Sequence, residues 1–190
     1  MQCPKETQVE LSQGALPGGP SAHCCPQCQG AWIPPEHYAD WQSRQGIAAD
    51  TDPYVAVLPS AIAFDFEAPA LDNRAALCPD CRHYLVRGRV TLQNTAFFVE
   101  RCPNCKGYWC DGGEWGVLQE LGLHSHLNFI FADGWQTQVK ALEATQRERQ
   151  ATIEKLGPDI AAKIFELADL LEQHPNGDFG VAYLMRRFEE

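Results

Sequence analysis

The feature that most constrains this chain is a pair of Cys-Pro-x-Cys turns, Cys78-Pro79-Asp80-Cys81 and Cys102-Pro103-Asn104-Cys105, with twenty residues between them. Each tight turn points backbone N–H groups at its sulfurs, and two such turns supply the four thiolates of a tetrahedral structural zinc. The intervening segment, Arg82 to Arg101, has the pattern of a hairpin. Tyr84-Leu85-Val86, Val90, Leu92 and Ala96-Phe97-Phe98-Val99 alternate with polar residues, and Gly88 and Gln93-Asn94 break the run. After the second turn, Asp111 precedes Gly112-Gly113-Glu114, which places Asp111 to cap a helix and Glu114 to reach back as its partner. Trp115, Leu118 and Leu121 continue at helical spacing.

This order of residues resembles the transcription-factor-IIB-type zinc-ribbon family of bacterial proteins. The resemblance rests on Cys78, Cys81, Cys102, Cys105, Gly107, Trp109, Asp111, Gly113 and Glu114. It implies a small zinc-bound ribbon with a short helix behind it. It does not imply a transcription factor, because one fold serves many functions.

The first part of the chain repeats this pattern in altered form. Cys25-Pro26-Gln27-Cys28-Gln29-Gly30-Ala31-Trp32 matches Cys102 to Trp109, and Cys3-Pro4-Lys5-Glu6 stands where the earlier turn would. Spacers of 18 and 20 residues keep the two halves in register to within one hairpin turn, the mark of an internal duplication. Cys3, Cys25 and Cys28 then offer three thiolates for a second zinc. The fourth ligand is open between Glu6, His23 and Cys24. A carboxylate is an acceptable zinc ligand, and the family resemblance, with an acidic residue at that place, favours Glu6. Ile33-Pro34-Pro35 lacks the Asp-x-Gly-Glu cap, but proline at a first helical turn starts a helix, which Tyr38 and Trp41 continue. His37 on that helix is expected to pack or face solvent.

Residues 44–77 carry Asp52-Pro53, Leu58-Pro59 and Ala68-Pro69 and are expected to form an extended, partly docked linker. Tyr54-Val55-Ala56-Val57 and Ala61-Ile62-Ala63-Phe64 are its apolar stretches. His124 and His126 are expected in a loop, and Cys110, without a C-x-x-C partner, as a packed or solvent-facing thiol. From Trp135 the chain turns helical. Trp135, Val139, Leu142, Ile153 and Leu156 form one stripe, and Gly157-Pro158 separates it from Ile160, Ile164, Leu167 and Leu171. Phe179 to Phe188 closes with a third helix. The expected fold is therefore α+β: a zinc ribbon over 1–43, a linker over 44–77, a second ribbon over 78–133, each ribbon followed by a short helix, and a helical segment over 134–190.

Net charge narrows the function classes. The formal charge of −10 divides into −3, −3, −1 and −3 over those four segments, and such a chain is repelled by polyanions. Arg82, Arg87, Arg89, Arg101 and Lys106 on the ribbon hairpin are the exception. No stretch reaches the length of a membrane helix. The start Met1-Gln2-Cys3-Pro4-Lys5 has no apolar signal core, so the paired cysteines are expected as metal ligands in a reducing cytoplasm. No phosphate loop, triad order or H-E-x-x-H motif is present, and four thiolates close a zinc to substrate. The expected function is non-catalytic zinc-dependent protein binding through aromatics near Trp32, Trp41, Trp109 and Trp115 and the helical tail. A nucleic-acid-binding or transcription-associated ribbon and a thiol redox protein using the C-P-x-C pairs are the alternatives.

Overall fold

Trp32 and Trp109 each sit between smaller residues in a short run that extended backbone suits, and strand geometry throws alternate side chains to opposite faces. Ala31–Ile33 and Tyr108–Cys110 are strands β3 and β6 of the computed structural model, which describes residues 1–47, 65–92 and 95–188. The other strands are β1 (Ser12–Ala15), β2 (Ser21–Cys24), β4 (Val86–Thr91) and β5 (Ala96–Arg101). All six make one antiparallel sheet in the order β1-β2-β3-β6-β5-β4. The chain divides into two units, Met1–Lys140, which holds this sheet, and Ala141–Glu190.

The two sequence halves, expected as separate modules, thus share a sheet. They meet at β3 and β6, where Ala31 pairs with Cys110, Trp32 with Trp109 and Ile33 with Tyr108. This register is symmetric about the tryptophan pair, so each half meets the other through the same residues, as in an isologous interface. Gly30 and Gly107 make the approach close. A Cβ on Gly30 would stand 2.3 Å from Cζ2 of Trp109, and one on Gly107 would stand 2.4 Å from Cζ2 of Trp32. Overpacking of this kind costs about 1–3 kcal/mol. Gly30→Ala and Gly107→Ala are each expected to lower the melting temperature by several degrees, and a change within error at either position would contradict the reciprocal contact.

The sheet has two differently used faces. Ala31, Ile33, Tyr108, Cys110, Val90, Phe97 and Val99 point to one face, against helices α1 (Pro35–Arg44) and α2 (Glu114–Glu120), the 3-10 turn Leu127–Phe131 and the start of α3 (Asp133–Leu156). Trp41 and Trp115 meet edge to face at 5.8 Å. Tyr38 donates its hydroxyl proton to the His124 carbonyl at 2.8 Å and accepts the Leu127 N–H at 3.0 Å. Trp32 and Trp109 point to the other face, into a core shared with Cys3, Cys25, Cys78, Cys102, Ala76 and Leu85. The four tryptophans expected as exposed contact residues are therefore core residues: Trp32 and Trp109 are 0% exposed, and Trp41 and Trp115 are 4% and 3%. Gly30 and Gly107 leave room for the Trp109 and Trp32 rings, and Trp41 and Trp115 cover each other.

α1 starts at proline as expected. α2 begins differently: Gly113, in the left-handed conformation at φ 87°, precedes it, and no side chain caps its N–H groups. Glu114 does reach back, accepting the Asp111 N–H at 2.8 Å, but the Asp111 carboxylate turns inward. Of the linker, Tyr54–Val57 and Ala61–Phe64 lie outside the described residues. Its last part is docked, with Phe66 edge-on to Phe97 at 5.4 Å and Asp72 buried.

In the second unit, α3 continues to Leu156, followed by α4 (Pro158–Gln173) and α5 (Gly177–Phe188). Arg149 lies 3.9 Å over the Phe165 ring. Ile160, Ile164, Leu167, Leu170, Phe179, Val181, Tyr183, Met185 and Phe188 remain substantially exposed. No helix among the described residues is long and apolar enough to cross a membrane.

Candidate metal centres

A Cys-Pro-x-Cys turn closes on itself because the sulfur of its first cysteine accepts the N–H of the second. Cys81 N–H bonds Cys78 Sγ at 3.5 Å, and Cys105 N–H bonds Cys102 Sγ at 3.4 Å. Arg82 and Lys106 then take left-handed φ values of 61° and 70°, so that Cys78 N–H reaches the His83 carbonyl and Cys102 N–H the Gly107 carbonyl. The two turns bring Cys78, Cys81, Cys102 and Cys105 together, with all four sulfurs within 4.8 Å of one another. Cys78 and Cys105 sulfurs are 3.6 Å apart and Cys81 and Cys102 sulfurs 3.4 Å. A tetrahedron with Zn–S bonds of about 2.3 Å has edges near 3.8 Å. The cysteines are free thiols at spacings that suit such an ion.

Their electrostatics suit a cation as well. Burial and the neighbouring thiols Cys105 and Cys81 push the Cys78 thiol up, whereas the His83 backbone N–H leads the groups that hold Cys81 down at about 5. Four close sulfurs cannot all ionise side by side, and a dication among them removes that conflict. Without one, some must keep their protons.

The first half assembles three sulfurs in the same way. Cys3, Cys25 and Cys28 lie within 4.8 Å of one another, with Cys3 and Cys28 sulfurs 3.7 Å apart. Cys28 N–H bonds Cys25 Sγ at 3.5 Å, Gln29 has φ 61°, and Cys25 N–H reaches the Gly30 carbonyl. The turn at Cys3 departs from this. Glu6 N–H still bonds Cys3 Sγ, at 3.2 Å, but Cys3 N–H reaches Val9, one residue further than in the other three turns. The left-handed residue is Gln8, two places after Glu6. A strand bridge shows the same extra residue, joining Gln2 to Glu10 where the second half joins Leu77 to Tyr84. The Glu6 carboxylate is not within the group formed by the three sulfurs. Nor are the rivals: the His23 ring stacks on His37 at 6.3 Å, and Cys24 Sγ packs against Gly14.

The residue that sequence reasoning missed is Lys5. Fully buried, its ammonium donates to the carbonyls of Leu71 and Asp72 at 3.2 Å each and of Arg74 at 3.0 Å. It also pairs with Glu100 and, at 3.3 Å, with Asp111. Asp72, Asp111 and Glu114 form a third, wholly buried cluster of carboxyl groups beside it. Burial pushes the Glu100 carboxyl up against the pull of Lys5, and it pushes Glu114, with Asp111, Glu100 and Asp72 close by, well above the usual range. Lys5 is held on the charged side by Glu100 and Asp111, which outweigh the cost of its own burial.

The signal for Lys5 was a charge reversal. Lys5 corresponds in the repeat to Asp80, whose carboxylate accepts the Trp32 indole N–H at 2.9 Å across the junction of the halves. Lys5 cannot accept the equivalent proton of Trp109. Asp111 does so instead, at 2.7 Å, while its other oxygen meets Lys5. The ring of His124 lies between Trp41 and Trp115, at 5.6 and 5.8 Å, and Cys110 is packed in the core. Arg87 and Arg89 lie over the Phe98 ring, and Arg101 over Tyr108.

Compared with models of protein families, with curated proteins and with solved structures, the chain has no match.

Proposed function

We propose that this is a non-catalytic zinc protein of the zinc-ribbon type, related to the bacterial transcription-factor-IIB-type ribbons, that binds another protein. The observation that carries the zinc reading is the four-sulfur cluster of Cys78, Cys81, Cys102 and Cys105, whose spacing fits a closed tetrahedron. A closed set leaves substrate no coordination position and makes the metal a structural element. Cys3, Cys25 and Cys28 form the second zinc site. The buried carboxyl cluster takes no metal in this reading, because the Lys5 ammonium already supplies its cation.

The protein partner is supported by the tail. Exposed Ile160, Ile164, Leu167, Leu170, Met185 and Phe188 on α4 and α5 make an apolar surface of the sort that marks interaction sites. A polyanionic partner is disfavoured by the charge of −10 and by Arg87, Arg89 and Arg101 lying on aromatic rings. Native mass spectrometry should find two zinc ions per chain, and a competing chelator should remove the one at Cys3, Cys25 and Cys28 first. One ion in metal-replete protein would refute the second site. In cells, Leu167→Asp with Met185→Asp should abolish function while Arg87→Glu with Arg89→Glu leaves it nearly intact. Salt-sensitive, sub-micromolar binding to DNA or RNA that the two arginine reversals abolish would favour a nucleic-acid ribbon instead.

A further inference from the structure

We infer that Cys3, Cys25 and Cys28 form a three-sulfur site whose fourth ligand is a thiolate from outside the described chain, an inference that rests on the zinc reading above. Three of the four turns are alike to the residue, and each of those presents a cysteine at its second ligand position. In the odd one the extra residue before Val9 lengthens the loop, and the Glu6 carboxylate falls outside the sulfur group. His23 and Cys24 are engaged with His37 and Gly14. Three thiolates therefore converge where the second half brings four.

The surroundings select the incoming ligand. Cys3 and Pro4 line a cleft of about 330 Å³ together with Arg74, Leu77 and Arg82. Three thiolates on a dication leave one net negative charge and a fourth makes two, and Arg82 and Arg74, the latter donating to the Lys5 carbonyl at 2.7 Å, put positive charge at the cleft. That charge favours an anion over a neutral imidazole. Three soft sulfurs favour a thiolate over a carboxylate. On binding, the thiol gives its proton to buffer and its sulfur completes the set that Cys78, Cys81, Cys102 and Cys105 make within the chain. The thiol belongs either to a small molecule or to a cysteine of a partner protein, and the two are separated by experiment.

The full-length chain is loaded with cobalt(II) without oxygen, and mass spectrometry counts the ions. Two per chain is the premise; one would defeat the zinc reading of this centre itself and is seen before any thiol is added. Mercaptoethanol and a blocked Gly-Cys-Gly peptide are then titrated separately, and the ligand-field bands are followed. One of the two cobalt spectra is expected to move to the four-sulfur form while the other stays fixed. Response to both probes assigns the site to thiols at large, and response to the peptide alone assigns it to a partner's cysteine. Arg82→Gln, at a left-handed position of the kind Gln29 fills in its own turn, should weaken thiol binding roughly two- to fivefold, the range for one partly exposed charge. Glu6→Ala should leave the starting spectrum unchanged. A spectrum altered by Glu6→Ala returns the fourth ligand to the chain, and a spectrum that neither thiol moves overturns the inference as well.

Discussion

Cys105→Ser is expected to unfold both halves of Met1–Lys140, not the second half alone. The variant loses one of the four sulfurs gathered at Cys78, Cys81, Cys102 and Cys105. On the zinc reading proposed above, structural zinc contributes on the order of 10–16 kcal/mol of apparent binding energy in small domains. A whole domain is stable by only about 5–15 kcal/mol. The loss does not stay local, because β6 is the pairing partner of β3, and Trp109 fills the space over Gly30. Amide exchange should show β3 and β6 losing protection together, and chelation of the native protein should do the same. α4 and α5, in the unit Ala141–Glu190, should keep their protection. If β2 and β3 stayed protected in Cys105→Ser, the halves would be energetically independent despite the shared sheet.

Lys5→Met is expected to cost about 3–5 kcal/mol, the penalty for leaving buried charge without its partner. Glu100 and Asp111 would lose the ammonium that both contact, in a cluster already crowded with Asp72 and Glu114. For a unit of this size that is a fall in melting temperature on the order of 10 °C. Adding Glu100→Leu should recover more than half of the loss, since an apolar pair of similar volume often replaces a buried ion pair without cost. Denaturant titrations in excess zinc, which hold the metal contribution constant, measure both variants. A cost under about 1 kcal/mol for Lys5→Met would show that the carboxyls stay protonated and need no counter-ion.

Much of this was legible in the residues. The four-cysteine cluster, the β4–β5 hairpin, the proline start of α1 and the Gly157-Pro158 start of α4 follow from local spacing and turn chemistry, which depend on neighbours in sequence. The pairing of β3 with β6 does not. Ala31-Trp32-Ile33 and Tyr108-Trp109-Cys110 are too short to announce strands, and their partner lies 75 or more residues away. The tryptophans were misplaced for that reason: their burial is created by the other half. Asp111 was misread in the same way, because its competing partners, Lys5 and Trp109, outbid the helix N–H groups for a buried carboxylate. Glu6 shows the opposite limit. It stands at the motif position and its N–H bonds Cys3 Sγ, while its loop is one residue longer than the other three turns, a length that a pattern of ligand types does not carry.

Among the described residues, the β3–β6 junction also reduces the open hydrogen-bonding edge. Two separate three-stranded ribbons would offer four edges, each a row of unpaired N–H and carbonyl groups able to template aggregation. Joining them hides two. Of the pair that remains, β1 is only four residues long and fully exposed, and β4 carries Arg87 and Arg89, with the Arg87 guanidinium tied to the Asn73 carbonyl at 3.1 Å. Short length and positive charge are the ordinary means of blunting a terminal strand. Separation of the halves, by metal loss or by substitution at Gly30 or Gly107, would therefore do more than lower stability. It would uncover two inner strands, Ala31–Ile33 and Tyr108–Cys110, that have no such protection, and the protein should precipitate with metal depletion before it accumulates as a soluble unfolded chain.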